Sequence, residues 1–577
     1  MAGIYGFYSK SPIHLKDNYT RFFSCKLEGV QNEEHRLSNF VYGRSVPAKF
    51  LDDRFLYEND QVVIGIEGII YSQDNPKHDI PEMYRKQGVN FAENLKGSFS
   101  GFIFDKTEKK LHLLTDILAT KSIYIYSNPA EEHLFFASEL KVLTSLLRDL
   151  KIPFEPDSDG FNCLLTLGYM LNDLTLVREI RRLEHATIAT FDLQTGSCKQ
   201  RKYFDFTAEE QNIPMDRAIE QTDKLLTNAV DMEWKKDKQE SSRSLTFISG
   251  GLDARVNALL AAELGYGEVT ALNFSQTGAP DHLIAKEISE GERFRYRFYP
   301  LDGGKYFLDS FEELVAANDG MVTVSGGSHM YRALQYIEAE QFGMAHSGQI
   351  GDVLFGSFNR TGFDLQKNVG RLGYVNDQKV LDQISILPEI TERYRNTVEQ
   401  FSYEQRQING TLNGDRLCSH IIDIQSPFYN KELIHFCLGL PEPLKHKKLL
   451  YTEWIRNKHP HFFNYRWDST GIAPKNRALT KLFMKLNRAQ SLFKRLLGRD
   501  RSSMNPFDDW FSENKVLRDQ VHHLFQSGLK NMPNNEIKRN TNHIFAQYKA
   551  RGKCNALTCV LAYKLHFIFE DNEEYRQ

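Results

Sequence analysis

The sequence predicts two halves of different class: an α+β half first, then an α/β half with a helical C-terminal part. Three observations carry that reading. Through the first ~200 residues, short runs rich in β-branched and aromatic side chains alternate with turns, as in antiparallel sheets. From about Met215 strand-like runs alternate with long helical periods, the pattern of a parallel sheet covered on both faces. Beyond about Phe358 the chain reads mostly helical.

In chain order, the first half offers strands at "VVIGIEGIIYS" (62–72), "GSFSGFIFD" (97–105), "KKLHLLTD" (109–116), "SIYIYS" (122–127), "HLFFAS" (133–138) and "ATIATFDL" (186–193). The composition changes near Phe206–Met215, which is the domain cut. A helical period then covers 218–234, followed by the polar stretch Lys235–Arg243. Next come the strand "SLTFISGG" (244–251), a helix from Leu252, the strand "EVTALNFS" (268–275), a helix around Ala285 and the run "FGMAHSGQIGD" (342–352).

The 577 residues suggest two to four domains rather than one core. A formal net charge of -3, from 72 basic and 75 acidic residues, gives no global field for nucleic acid or membrane. No apolar run is long enough to span a bilayer, and the N-terminus does not read as a signal peptide. The seven cysteines form no CxxC and no zinc spacing, which points to reduced thiols in a cytosol. Cys25 could serve as a nucleophile; packing is the ordinary reading of a lone cysteine.

The stretch Thr246–Arg255, "TFISGGLDAR", breaks an apolar run into Ser-Gly-Gly and then opens a helix. Consecutive backbone N–H groups at a helix start make an anion site, and Gly250 and Gly251 let the backbone approach phosphate oxygens. Ser249 adds a hydroxyl donor. Asp253 would repel bare phosphate and makes sense with Mg²⁺ between the two. A tight turn with a capping aspartate is the bland alternative. A second loop, Ser347-Gly348-Gln349-Ile350-Gly351-Asp352, shifts the balance, because two such turns suit two carboxylates sharing magnesium on one pyrophosphate. The spacing fits neither a Walker A loop nor a dinucleotide fingerprint.

With these loops in view, the chain resembles the asparagine synthetase family over nearly its whole length. The family's Ser-Gly-Gly-x-Asp-Ser loop is matched by Ser249 to Asp253. Its second loop is matched by Ser347, Gly348, Asp352, Phe355 and Gly356. "FASELK" (136–141), "TLVREIRRL" (175–183) and Pro427-Phe428 support the match. The resemblance implies a glutaminase-like Ntn-type antiparallel β-sandwich with helices over 1–206. It implies a PP-loop ATP pyrophosphatase domain over 207–577. Such a domain adenylates a carboxylate, releases pyrophosphate and lets ammonia displace AMP. Ser249, Gly250, Gly251, Leu252, Asp253, Leu272, Ser347, Gly348 and Asp352 are then the expected ATP contacts. Asp253 and Asp352 are the expected Mg²⁺ ligands, and Gln349 and Arg466 the expected catalytic residues.

The departures are equally specific. The family's nucleophilic cysteine, which follows the initiator methionine, is here Ala2. Its glutamine-gripping Asn-Gly-Glu-Ile-Tyr-Asn reads Glu67-Gly68-Ile69-Ile70-Tyr71-Ser72, so the glutaminase is expected to be lost. Ala254 replaces a serine, removing one hydroxyl contact of about 1 kcal/mol. Arg255 could contact phosphate or face solvent. Gln349 stands for a glutamate that could accept a proton from ammonia, and Val353 replaces an acid. The family's Arg-x-Pro-Phe-x-Asp reads Gln425 to Asn430, and its Arg-x-Lys reads Arg466-Trp467-Asp468, with Lys475 a candidate substitute. ATP handling is therefore expected to persist while the acceptor has changed.

Residues 475–501 carry nine basic side chains and one acid, with apolar positions near helical spacing. One reading is a core-packed helix with a solvated cationic face; the other is contact with an anionic membrane or a phosphorylated carrier. Two functions stay open. The first is an AMP-forming amide ligase using free ammonia or an amine, with aspartate as default acceptor and a surface-polysaccharide or peptide precursor as the alternative. The second is an inactive scaffold. Nothing sets the oligomeric state, and a homodimer is compatible with the sequence.

Overall fold

The computed structural model describes residues 3–11, 15, 18–24, 29–308, 310–357, 362–496 and 504–568; side chains of 488–496 are not described. Ala2 and Cys25 lie outside the described residues.

The alternating runs of the first half build two six-stranded antiparallel sheets. In spatial order one runs Ile180–Arg182, Tyr124–Asn128, His133–Ala137, Gly3–Ser9, Phe40–Val46, Gln31–Arg36. The other runs Cys198–Lys202, Thr187–Asp192, Lys110–Thr115, Gly97–Asp105, Val62–Ile70, Phe55–Glu58. Their inner faces meet as a sandwich, with Ile4, Phe40 and Phe136 packed against Val63, Phe102 and Leu113. The outer face of the second sheet takes the helix Pro76–Gln87 through Ile80. Buried on both sides, Val62–Ile70 therefore reads as a continuous apolar run rather than an alternation.

The second half holds a five-stranded parallel sheet, ordered Arg295–Pro300, Val269–Ser275, Ser244–Phe247, Ala345–His346, Ile424–Gln425. Side chains alternate between two cores. Leu245, Phe247 and Leu272 face one, with Leu314 and Leu334; Val269 and Ala271 face the other, with Val230, Leu259 and Ile284. The chain order reverses between Ser244–Phe247 and Ala345–His346. That is the switch point where ligands of open α/β sheets bind, outside the carboxyl ends of the strands.

Three elements differ from the sequence reading. The helix Met215–Glu240 continues beyond the helical period into most of the polar stretch Lys235–Arg243, because Lys236 and Asp237 are buried and paired. Arg295–Pro300 is an additional strand, and its polar alternation is that of a sheet edge. A ten-residue π-helical segment, Ser402–Thr411, leads into the helix Leu412–Cys418.

The halves are joined by buried polar contacts. Asp423 accepts from Arg54 on one oxygen and from Lys121 on the other, and Glu67 lies 3.3 Å from the Arg54 guanidinium. Lys236 pairs with Asp53 at 2.9 Å. The C-terminal helix Ala550–Phe567 also packs on the first half, with Asn555 Nδ2 donating to the Leu165 carbonyl at 3.0 Å. Burial raises the Asp423 pKa, but Arg54 and Lys121 outweigh it and hold the carboxyl well below the usual range. Replacing Asp423 by Ala leaves two buried cations without their shared partner. We expect the folded state to lose about 3–5 kcal/mol, read as a lower unfolding midpoint in urea.

Candidate active site

Both Ser-Gly loops leave adjacent strands at the switch point. Ser249–Asp253 follows Ser244–Phe247, and Ser347–Asp352 follows Ala345–His346. They touch. A Cβ at Gly348 would overlap the Asp253–Ala254 peptide, and one at Gly351 would sit 2.9 Å from the Asp253 carboxyl carbon. Only glycine allows the first approach.

The second loop is clamped from behind. The Ser347 N–H and hydroxyl both donate to the Gln425 carbonyl, at 2.8 and 3.0 Å, and the Ser426 hydroxyl donates to the Gln349 carbonyl at 3.0 Å. Asn257 donates to the Ser347 carbonyl at 2.8 Å. Ile350 is held at φ 58, a left-handed conformation that a β-branched residue adopts only under constraint. Just upstream, the His346 ring stacks on Trp234 at 4.0 Å between centroids and bridges Glu233 and Asp237, one helical turn apart. Burial pulls its pKa down, but hydrogen bonds to Asp237 and Glu233 push it up to about 9.

The first loop is organised by acids. Gly250 N–H donates to Asp281 at 2.8 Å, and Asn273 donates to both the Ile248 carbonyl and Asp281. The Asp468 N–H donates to the Gly250 carbonyl at 3.1 Å. Asp253 is half-buried, and its pKa rises to about 7 through burial; Lys448 pulls it down, while Asp352 and Asp468 push it up. Lys448 Nζ lies 4.0 Å from Asp253 Oδ2. The other oxygen, Oδ1, is buried without a well-formed hydrogen bond, and the Tyr451 hydroxyl, likewise buried, is the donor beside Asp253.

That oxygen tests the fit of a cation. Among the described residues no group of three or more His, Cys, Asp or Glu could hold a metal. Mg²⁺ needs less, since it takes one or two carboxylates and completes its shell with water and substrate phosphates. Asp253 and Asp352 supply such a set, so the residues fit.

Other expected residues fall elsewhere. Arg466 pairs with Glu287 at 2.6 Å on an exposed face, and only its carbonyl, held by Arg255 Nη2 at 2.5 Å, points inward. Arg255 faces neither phosphate nor solvent. It is fully buried and donates to the carbonyls of Gly250, Phe462 and Arg466, tying the first loop to the 462–466 segment. Leu272 is fully buried in the sheet with its carbonyl taken by the Ile248 N–H; Leu252 is 3% exposed and packs in the core. Lys475 is exposed, and Lys448 is instead the lysine beside Asp253.

Two groups beside the second loop, Asp415 and Tyr429, escaped the sequence reading. Gln349 Nε2 donates to Asp415 Oδ1 at 3.3 Å, and Tyr429 donates to Asp415 Oδ2 at 2.7 Å. Burial pushes the Asp415 carboxyl up to about 7, against the pull of Tyr429 and Arg416. Two small adjoining pockets share Ser98, Thr120, Gln425 and Tyr429; one of them is also lined by Asp415, Lys121 and Asp423. Tyr429 could have been suspected from its place after Pro427-Phe428, but Asp415 carried no local signal.

A family model described as Asparagine synthase matches residues 221–529, and one described as Glutamine amidotransferase domain matches residues 79–204. Asparagine synthetase (glutamine-hydrolyzing) 1 of Bacillus subtilis (strain 168) is 20% identical over 294 residues, covering 51% of this chain and 44% of that protein. Asparagine synthetase (glutamine-hydrolyzing) 2 of the same organism is 26% identical over 241 residues, covering 36% and 30%. The chain thus spans less than half the length of these relatives. Among solved structures, a glutamine phosphoribosylpyrophosphate amidotransferase from B. subtilis, complexed with ADP and GMP, covers 47% of this chain and 65% of its own. Its identity is 12% and its TM-score 0.23, a likeness too loose to carry an argument.

The His346 clamp gives a pH dependence with a definite sign. Its folded-state pKa lies above the unfolded value, so the stabilisation is complete below pH about 6.5 and is lost as pH rises through about 9. The loss should approach about 3 kcal/mol. Thermal midpoints between pH 6 and 10 are expected to fall in the parent, while His346→Gln starts lower and loses this part of the slope.

Proposed function

Because the chain belongs to the asparagine synthase family, whose model spans residues 221–529, we propose that it is an ATP-dependent, AMP-forming amide ligase. The observation that carries this reading is the contact of two glycine loops at the switch point, which brings the Asp253 and Asp352 carboxylates close enough for their charges to interact. Residues 207–577 form the ligase and residues 1–206 a glutaminase-like domain, in a cytosolic protein without nucleic-acid partners.

In the first step an oxygen of the acceptor carboxylate attacks the α-phosphorus of ATP, and pyrophosphate leaves with the bonding electrons. The Gly250 and Gly251 N–H groups are engaged by Asp281 and Ser249 Oγ, so the charge facing the phosphates would come from the start of the helix at Asp253 and from the Lys448 ammonium. Magnesium on Asp253 and Asp352 would supply charge neutralisation at the departing pyrophosphate. In the second step the lone pair of ammonia or an amine attacks the acyl carbon and AMP leaves. Gln349 orients, and Asp415 accepts the nitrogen's proton, a task for which a carboxyl near 7 is well matched.

The chain supplies no glutaminase of its own in this reading. Glu67 is buried against Arg54 and Lys121, the two cations that hold Asp423, and Tyr71 donates to Gln425 at 2.8 Å across the seam, so side chains at the expected glutamine grip are engaged elsewhere. The neutral Gln349, Gln425 and Asn430 favour an acceptor other than aspartate, such as a surface-polysaccharide or peptide precursor. A second reading, an inactive scaffold, is favoured by Asp468, which adds negative charge beside Gly250 where the family carries lysine.

Pyrophosphate release from MgATP, with aspartate and then a panel of amino acids and sugar acids, with and without ammonium, separates the readings. We expect release that depends on one carboxylate and is abolished in Asp253→Ala; ATP binding without turnover on any acceptor would favour the scaffold. On the acceptor that works, Asp415→Asn is expected to lower kcat about 10²–10⁴-fold and remove the limb of the pH profile near 7, leaving ATP binding unchanged.

A further inference from the structure

The helix Arg477–Leu496 is held by one face only. Thr480 is buried, Met484 packs on the core of the parallel-sheet half, Asn487 Nδ2 donates to the Ser469 carbonyl at 3.3 Å, and Arg477 pairs with Glu453. On the far side Leu479, Leu482 and Leu486 are 49%, 51% and 46% exposed. At 100° per residue the three leucines fall within a sector of about 60°. Lys481 and Lys485, both exposed, line one flank of that stripe. The described apolar positions therefore divide: Met484 packs inward and Phe483 is half-buried, while Leu479, Leu482 and Leu486 face outward.

A leucine stripe beside lysines, on a chain whose net charge is -3 but whose residues 475–501 carry nine basic side chains and one acid, is built for a surface that is apolar beneath and anionic on top. We propose that this helix docks the protein on an anionic lipid bilayer, lying in the headgroup plane with the leucines inserted. No described helix is long and apolar enough to cross a membrane, so the contact is peripheral. A second copy is a poorer occupant, because a two-fold contact through the stripe would bring Lys481 and Lys485 against the same lysines. The geometry also orients the site. Ser469, which holds Asn487, follows Asp468, which holds the Gly250 carbonyl, so the nucleotide loop lies next to the docking helix.

The test is co-sedimentation of the full chain with phosphatidylcholine vesicles, with and without phosphatidylglycerol. We expect binding only when phosphatidylglycerol is present, weakening as salt screens the lysines. Leu482→Asp, at an exposed position that leaves the fold intact, should reduce partitioning by about tenfold or more, the worth of one buried leucine. Lys481→Glu should weaken binding most at low salt. Equal binding to neutral vesicles, or binding indifferent to Leu482→Asp, would overturn the proposal. So would a concentration-dependent dimer that Leu482→Asp abolishes. Asp253→Ala should bind vesicles like the parent, so this inference and the ligase reading fail separately.

Discussion

The arrangement rests on Asp423, a carboxylate buried between two cations that come from the other half of the chain. It stands immediately before the strand Ile424–Gln425, and its own carbonyl accepts from Ala345 at 2.9 Å. That one residue thereby fixes the register of the fifth strand against the fourth and fastens both to Arg54 and Lys121. Gln425, next in line, takes both donors of Ser347 and the hydroxyl of Tyr71. Burying charge is a poor source of net stability; it does specify one arrangement, because every alternative leaves an ion unpaired.

The same logic shapes the site. Four carboxylates, Asp253, Asp352, Asp281 and Asp468, crowd the Gly250 loop or the face opposite it, with Lys448 beside Asp253. Such a concentration of acid would repel a nucleotide alone. Under the proposed function it would take a nucleotide accompanied by a cation, with burial strengthening the interaction by excluding water. The strained Ile350 and the His346 stack belong to this design, since both fix the direction in which the second loop leaves its strand.

Much of this was legible in the sequence because it depended on local signals. The strands at 62–70, 97–105, 110–115 and 187–192 announced themselves by β-branched and aromatic runs, and both glycine loops by composition. What stayed hidden depended on pairing across long separations. Arg466 looked catalytic in a motif, yet Glu287, 179 residues away, draws it to the surface. Arg255 looked like a surface or phosphate residue, yet backbone carbonyls more than 200 positions downstream bury it. Asp415 lies in a helix without a motif and becomes notable only beside Gln349 and Tyr429. Two-residue strands and a π-helical segment leave no periodicity long enough to detect.

The seam between the halves also sets a clock. Arg54 and Lys121 precede Asp423 by 369 and 302 residues. At ribosomal speeds of about 5–20 residues per second, the emerging first half waits roughly 15–70 s for the carboxylate that completes it. During that interval its sandwich can form, but two cations destined for burial have no shared counter-ion. The first half is thus synthesised as an unfinished surface, exposed to chaperones until the far end of the parallel sheet arrives. Were the halves made as separate chains, that wait would depend on their concentrations instead of on the rate of synthesis.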